Sequence, residues 1–185
     1  MSITNPNVSV IVPAFNADKT LPTCLKSILK QNYPTKKVEI IVINDGSTDK
    51  TITFLRSLTL SERFKVIHHS ENCGLAAARN TGIKNAKGDI LIFLDSDMEV
   101  EEDFIEKHVS SHGKSGVIGV LGSILPDIEN PYDKYQRYLY ESKRGAAKFD
   151  INKPIPFNTF IFNNTSINRT IFKKTGLFDE NIKMY

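Results

Sequence analysis

Ile90-Leu91-Ile92-Phe93-Leu94 is an unbroken apolar run, entered through Lys87-Gly88-Asp89 and left through Asp95-Ser96-Asp97-Met98. Without polar alternation, such a run reads as a strand buried on both faces, as in a parallel sheet covered by helices. The strand ends in negative charge. Alternation along an extended chain puts the Asp95 and Asp97 side chains on one side, close enough to share a cation or straddle a ligand. Like charges so placed repel unless something positive lies between them. Taken alone, the pair also reads as the solvated end of a core strand, and the remainder of the chain has to separate the two readings.

Outward from this strand the pattern repeats. Val8-Ser9-Val10-Ile11-Val12 runs into Pro13-Ala14-Phe15-Asn16, Val38–Ile43 into Asn44-Asp45-Gly46-Ser47-Thr48-Asp49, and Lys65–His68 into Glu71-Asn72-Cys73-Gly74. Between them lie helical segments: Leu21, Leu25, Ile28 and Leu29 at helical spacing, then Ile52, Phe54, Leu55 and Leu58, then the alanine-rich Leu75–Asn80. Asp18 or Thr20 can cap the first, and Thr48 or Asp49 the second. Strands alternating with helices predict an α/β fold, an open, mostly parallel sheet flanked by helices. In such sheets ligands bind beyond the carboxyl ends of the strands, where these polar loops converge.

Past Met98 the expectations are a helix over Glu99–His112 and a strand over Val117–Leu121. They continue with a helix over Pro131–Arg144 whose Tyr132, Tyr135, Tyr138 and Tyr140 form a packing face, and a strand over Phe157–Phe162. A short helix over Ile171–Thr175, ended by Gly176, completes the series, with Lys143, Arg144 and Lys148 as a solvated basic edge.

The 185 residues suit one domain. A formal charge of +3 is too weak to argue for nucleic acid, although it suits an anionic ligand. Cys24 and Cys73, with no Cys/His spacing around them, give neither a zinc cluster nor a disulfide framework, and a reducing compartment follows. Residues 1–7 carry no signal-peptide pattern, and no apolar run approaches a membrane span. The expected location is the cytoplasm, free or peripherally at the cytoplasmic face of a membrane.

The chain contains no G-x-G-x-x-G, no P-loop and no G-x-S-x-G elbow, which removes dinucleotide, P-loop and serine-hydrolase readings. His68, His69, His108 and His112 sit in no triad or metal spacing and read as surface or packing residues. What remains is a carboxylate pair at a strand end. Hard oxygen ligands of this kind suit Mg²⁺ or Mn²⁺ held together with a diphosphate.

Four segments in order, Val8–Asn16, Val42–Asp49, Asn72–Gly82 and Phe93–Asp97, together resemble the family 2 glycosyltransferases of the GT-A fold, and the resemblance extends to Asn163–Arg169 and Gly176–Glu180. It implies a metal-dependent, inverting transfer of a sugar from a nucleotide diphosphate donor, a UDP-sugar, to a carbohydrate or lipid-linked acceptor in polysaccharide biosynthesis. It further implies that Phe15 lies against the base, with Pro13, Ala14 and Asn16 along its edge, and that Asp45 accepts from the base imide. Gly74 and Arg79 would border base and ribose, Asp95 and Ser96 would face the ribose or a metal-bound water, and Asp97, with Asp95, would hold Mg²⁺ or Mn²⁺.

The chain departs from the family pattern in two places. Phe162-Asn163-Asn164 stands where the family commonly has two glycines before an asparagine. The family's general base follows shortly after the Phe178-Asp179-Glu180 anchor, so it is expected beyond Tyr185, with residues 1–185 as the N-terminal part of a longer enzyme. A non-catalytic sugar-nucleotide-binding module is the alternative. A nucleotidyltransferase is weaker, since Pro13–Asn16 is not a glycine- and arginine-rich triphosphate loop.

Overall fold

The computed structural model describes residues 5–59, 61–124, 149–150, 153, 155 and 160–182. The chain runs β1 (Val8–Ala14), α1 (Leu21–Leu29), a 3₁₀ turn (Thr35–Lys37), β2 (Val38–Asp45), α2 (Thr51–Ser57) and β3 (Phe64–His69). It continues through α3 (Leu75–Asn85), β4 (Ile90–Leu94), α4 (Phe104–His112), β5 (Gly119–Leu121), β6 (Asn164–Asn168) and α5 (Thr170–Thr175).

The six strands form one sheet in the order β3-β2-β1-β4-β6-β5. β1 pairs in parallel with β2 and β4, and β2 with β3, whereas β6 runs antiparallel to both β4 and β5. The chain steps outward from β1 to β2 and β3, then returns to place β4 on the other side of β1. The β1/β4 boundary is therefore the switch point, and the crevice beyond its carboxyl ends is where such sheets take ligands.

Strand alternation divides the core between two faces. Val10, Val12, Ile40, Val42, Ile92 and Leu94 face one side, where Leu21, Leu25 and Ile28 of α1, Leu55 of α2 and Ile105 of α4 cover them. Ile11, Ile41, Ile43, Leu91 and Phe93 face the other, against Ala78 and Ile83 of α3 and the rings of Phe162, Phe172 and Phe178. Phe93 sits edge-on to Phe162 at 5.3 Å and to Phe178 at 5.8 Å between ring centres. Burying each large apolar side chain of this kind is worth about 2 kcal/mol.

Several boundaries differ from the sequence expectation. β1 continues through Pro13 and Ala14, and β2 through Asn44 and Asp45, because parallel pairing of Ala14 with Asn44 carries the ladder past the apolar runs. α4 starts at Phe104 rather than Glu99; residues 99–103 are a loop held by Ser27 of α1 and by Gln31 just past its end. Phe160–Phe162 lies outside any strand, and the strand comes later, at Asn164–Asn168. The remainder of the expected 157–162 strand and the tyrosine-bearing helix with its basic edge lie outside the described residues. Among the described residues no helix is long and apolar enough to cross a membrane.

Candidate functional site

The loops after β1 and β2 are stitched into one wall of the crevice. Asn16, in the left-handed region at φ 49°, donates its N–H to Ser47 Oγ (3.0 Å) and accepts the Thr48 N–H on Oδ1 (2.8 Å). Ala17 N–H donates to Thr51 Oγ1, and Asp49 Oδ1 accepts the Thr51 N–H at the start of α2. With Asn16 turned inward to the neighbouring loop, Phe15 is left projecting, 48% exposed. It is the aromatic member of a set of exposed large apolar side chains that also includes Leu29, Leu75, Ile118, Ile161, Leu177 and Ile182, and it follows the carboxyl end of β1.

Asp45 ends β2 and is only 4% exposed. Its Cα partner across the ladder is His69, whose Nδ1 lies 2.7 Å from Asp45 Oδ1. The same oxygen accepts the Cys73 N–H (2.9 Å), and Oδ2 accepts the Gly74 N–H (2.9 Å). Each carboxylate oxygen accepts about two hydrogen bonds. Oδ1 is thus filled, while Oδ2 keeps one acceptor position. Gly46, at φ 70°, is required next: a Cβ there would lie 2.2 Å from the backbone carbon of Glu71, so the 71–74 loop rides directly on it. His69, read from the sequence as a surface or packing residue, is instead a half-buried partner of Asp45, and its Nε2 meets Thr81 Oγ1 at 2.9 Å.

Asp95-Ser96-Asp97-Met98 is a turn, closed by the Met98 N–H on the Asp95 carbonyl (3.2 Å). Strand alternation stops at Leu94, so the extended-chain argument for Asp95 and Asp97 does not hold. Asp95 is half-buried, and Asp97 is exposed at the turn. Burial pushes the Asp95 carboxyl above its ordinary value, Arg79 opposes this, and the charge of Asp97 adds to it. Arg79, on α3, lies with Nη2 3.5 Å from Asp95 Oδ1 and donates to the Phe162 carbonyl at 2.6 Å. Its guanidinium carbon is 5.9 Å and 5.8 Å from the ring centres of Phe162 and Phe178. Burial lowers its pKa, against the pull of Asp95. Arg79 Nε and Asn163 Oδ1 are buried with no hydrogen-bond partner, and the Asn163 carbonyl accepts the Asp95 N–H (3.0 Å). Orphaned polar atoms of this kind are rare in folded proteins.

α1 and the residue after its C-cap hold the turn and the loop that follows it. The Cys24 thiol points at the Asp95 carbonyl (3.7 Å), Ser27 Oγ accepts the Val100 N–H, and Gln31 bonds both the Ile105 N–H and the Glu101 carbonyl. Burial, followed by the charges of Asp97 and Asp95, pushes the Cys24 thiol up to about 12, so it stays protonated and unreactive at neutral pH. Cys24 and Ser27 lie on α1 and Gln31 follows its C-cap, and these polar members gave no apolar signal to mark them.

Asn80 was not marked by the sequence either. It lies fully inside α3, with Oδ1 accepting the Phe178 N–H and Nδ2 donating to the Phe178 carbonyl and to Glu180 Oε1, each at 2.8–2.9 Å. This clamp makes Phe178–Glu180 an anchor, as expected. Of the sequence-assigned residues, Pro13, Ala14, Phe15 and Asn16 line the β1 edge, Asp45 and Gly74 the β2/β3 side, and Arg79, Asp95, Ser96 and Asp97 the β4 edge. Carboxylate oxygens at Asp97 and Asp95 fit a hard divalent ion such as Mg²⁺ or Mn²⁺, with Asp97 the freer of the two because Arg79 already engages Asp95.

Comparison with known proteins gives one consistent result. The family model described as Glycosyl transferase family 2 matches residues 9–176. Glycosyltransferase AglE of Haloferax volcanii is 35% identical over 166 residues, covering 87% of this chain and 54% of that protein. The uncharacterized glycosyltransferase YfnE of Bacillus subtilis is 31% identical over 225 residues, covering 96% of this chain and 57% of that protein. The chain thus spans about half the length of the curated relatives it matches. Among solved structures, the mannosyltransferase PcManGT from Pyrobaculum calidifontis, in complex with GDP-Man and Mn²⁺, superposes with TM-score 0.73 at 23% identity over 97% of this chain and 49% of its own. Staphylococcus aureus TarS 1-349 in complex with UDP gives TM-score 0.73 at 22% identity, over 96% and 51%. These superpositions establish the GT-A fold.

Proposed function

The chain belongs to glycosyl transferase family 2, and on that premise we propose that it forms the donor side of a metal-dependent, inverting transferase using a nucleotide diphosphate sugar, a UDP-sugar, with a carbohydrate or lipid-linked acceptor. The observation that carries this reading is the convergence at the β1/β4 switch point. There an exposed Phe15, the exposed Asp97 and the Arg79–Asp95 pair meet two buried polar atoms that lack partners.

In this reading Phe15 stacks on the base, with Pro13, Ala14 and Asn16 fixing its edge. The remaining acceptor position of Asp45 Oδ2 takes the imide N–H of uracil. Gly74 shapes the loop beside the base, and Arg79 orients Asp95 toward the ribose, with Ser96 next to it. Asp97, aided by Asp95, holds Mg²⁺ or Mn²⁺. When bound, the ion supplies Lewis-acid stabilisation of the charge that grows on the departing diphosphate. The acceptor hydroxyl needs a general base as it attacks the anomeric carbon. We assign that role to no described residue. We place its work in the cytoplasm or at the cytoplasmic face of a membrane.

Base selection tests the reading. Calorimetric titration with UDP, ADP and CDP in the presence of Mn²⁺ should give binding with UDP at least about tenfold tighter than with the other two, the worth of one imide hydrogen bond to a carboxylate. Equal affinity for all three would remove Asp45 from base recognition.

A further inference from the structure

We propose that Asp45, His69 and Cys73 form a site for a thiophilic divalent cation of the zinc class, at the β2/β3 side of the crevice. One carboxylate oxygen, one imidazole nitrogen and one thiol sulfur from these residues lie within 4.8 Å of one another. Mixed oxygen, nitrogen and sulfur donors select zinc over the hard ions that suit Asp97. Three protein ligands leave a fourth position for water or another small ligand.

The surroundings of His69 favour this assignment. Its Nδ1 faces Asp45, while Nε2 faces Thr81 Oγ1 at 2.9 Å. With the ring proton on Nε2 and donated to Thr81 Oγ1, Nδ1 presents its lone pair to the cation. Metal-ligating histidines almost always make such an outer hydrogen bond. Backbone bonds preset the other two ligands, since the Cys73 and Gly74 N–H groups both donate to the Asp45 carboxylate. Burial decreases from Asp45 through His69 to the exposed Cys73, which gives the cation a route in from solvent. On binding, the Cys73 thiol gives its proton to solvent and the Nδ1 proton moves to Nε2, so one proton is released per cation.

Because Asp45 is also the residue assigned to the base, cation and nucleotide compete for it; this clause alone rests on the proposed donor site. Titration of the full chain with Co²⁺, a spectroscopic stand-in for zinc, should give one equivalent of binding with thiolate-to-cobalt charge-transfer absorption, displaced by Zn²⁺. In Cys73→Ser that absorption should vanish, and in Thr81→Val cobalt affinity should fall by about tenfold through loss of the outer hydrogen bond. Absence of the absorption in the parent chain, or its persistence in Cys73→Ser, overturns the site. Circular dichroism of both variants checks that they fold. A further titration with UDP separates the two proposals. If Zn²⁺ weakens UDP binding by at least about tenfold, the sites overlap. If the cobalt absorption is present and UDP binds unchanged with Zn²⁺, the cation site stands and the placement of the base on Asp45 falls.

Discussion

Acidification should destabilise this chain through one buried histidine well before its carboxylates titrate. His108 of α4 is 3% exposed between Ser166 and Asn164 of β6. Asn164 Nδ2 donates to the Ser123 carbonyl, so its Oδ1 is an acceptor and His108 Nε2 must carry the proton. His108 Nδ1 then accepts from Ser166 Oγ (2.8 Å), which in turn accepts from His112 Nε2 (2.8 Å). Every bond in this chain is made with both rings neutral.

Burial lowers the His108 pKa to about 4, from an ordinary value of 6.5. Because the folded pKa is depressed, the unfolded chain binds the proton first as pH falls. Stability is full above pH 6.5 and is lost progressively between 6.5 and about 4. The complete shift is worth about 3 kcal/mol, and about 2 kcal/mol of it is gone by about pH 5. His112, whose pKa burial also lowers, acts in the same direction. Urea denaturation at about pH 7.5 and 5, on the parent chain and on His108→Gln, measures the effect, since most carboxylates stay ionised over that range. The expected result is a drop of at least about 2 kcal/mol in the parent and a smaller one in the variant. Equal drops in both proteins would refute the tautomer chain and the burial argument.

Three further outcomes follow from the site and its supports. Gly46→Ala places a methyl against Glu71 in a left-handed conformation and should destabilise the chain by about 3 kcal/mol in chemical denaturation, with the 71–74 loop cleaved faster by protease. Asn80→Ala removes the clamp on Phe178 and should cost about 2–3 kcal/mol, with limited proteolysis beginning between residues 170 and 182. Phe15→Ala should leave stability within about 0.5 kcal/mol, because the ring is half exposed, yet weaken UDP binding by about tenfold in calorimetry through lost stacking.

The parallel half of the sheet was legible because β1, β2 and β4 are apolar runs buried on both faces, ended by loops rich in Asn, Asp and Gly. β6 was not. Asn164, Thr165 and Ser166 are buried; Asn164 and Ser166 bond neighbours distant in sequence, His108, His112 and Ser123, and Thr165 donates to the Ile161 carbonyl. No periodicity of hydrophobicity can mark a strand whose core side is polar. The loops that end the parallel strands were readable, but the couplings between their side chains were not. That Asp45 is committed to Cys73, Gly74 and His69 follows from the β2/β3 register, which aligns Asp45 with His69. Alternation misled at Asp95–Met98, because the turn bond closes immediately after Leu94. Cys24 and Ser27 of α1, with Gln31 just past its end, stayed hidden for the same reason as β6: their work is hydrogen bonding to backbone, which leaves no apolar stripe.

The central proposal is that Asp97 holds a divalent ion that in turn holds the donor's diphosphate. Isothermal titration of UDP into the chain with and without Mn²⁺, repeated on Asp97→Asn, tests it most directly. Mn²⁺ should tighten UDP binding by at least about tenfold in the parent chain, and Asp97→Asn should abolish that gain while leaving metal-free binding unchanged. UDP affinity that responds equally to Mn²⁺ in both proteins would contradict it.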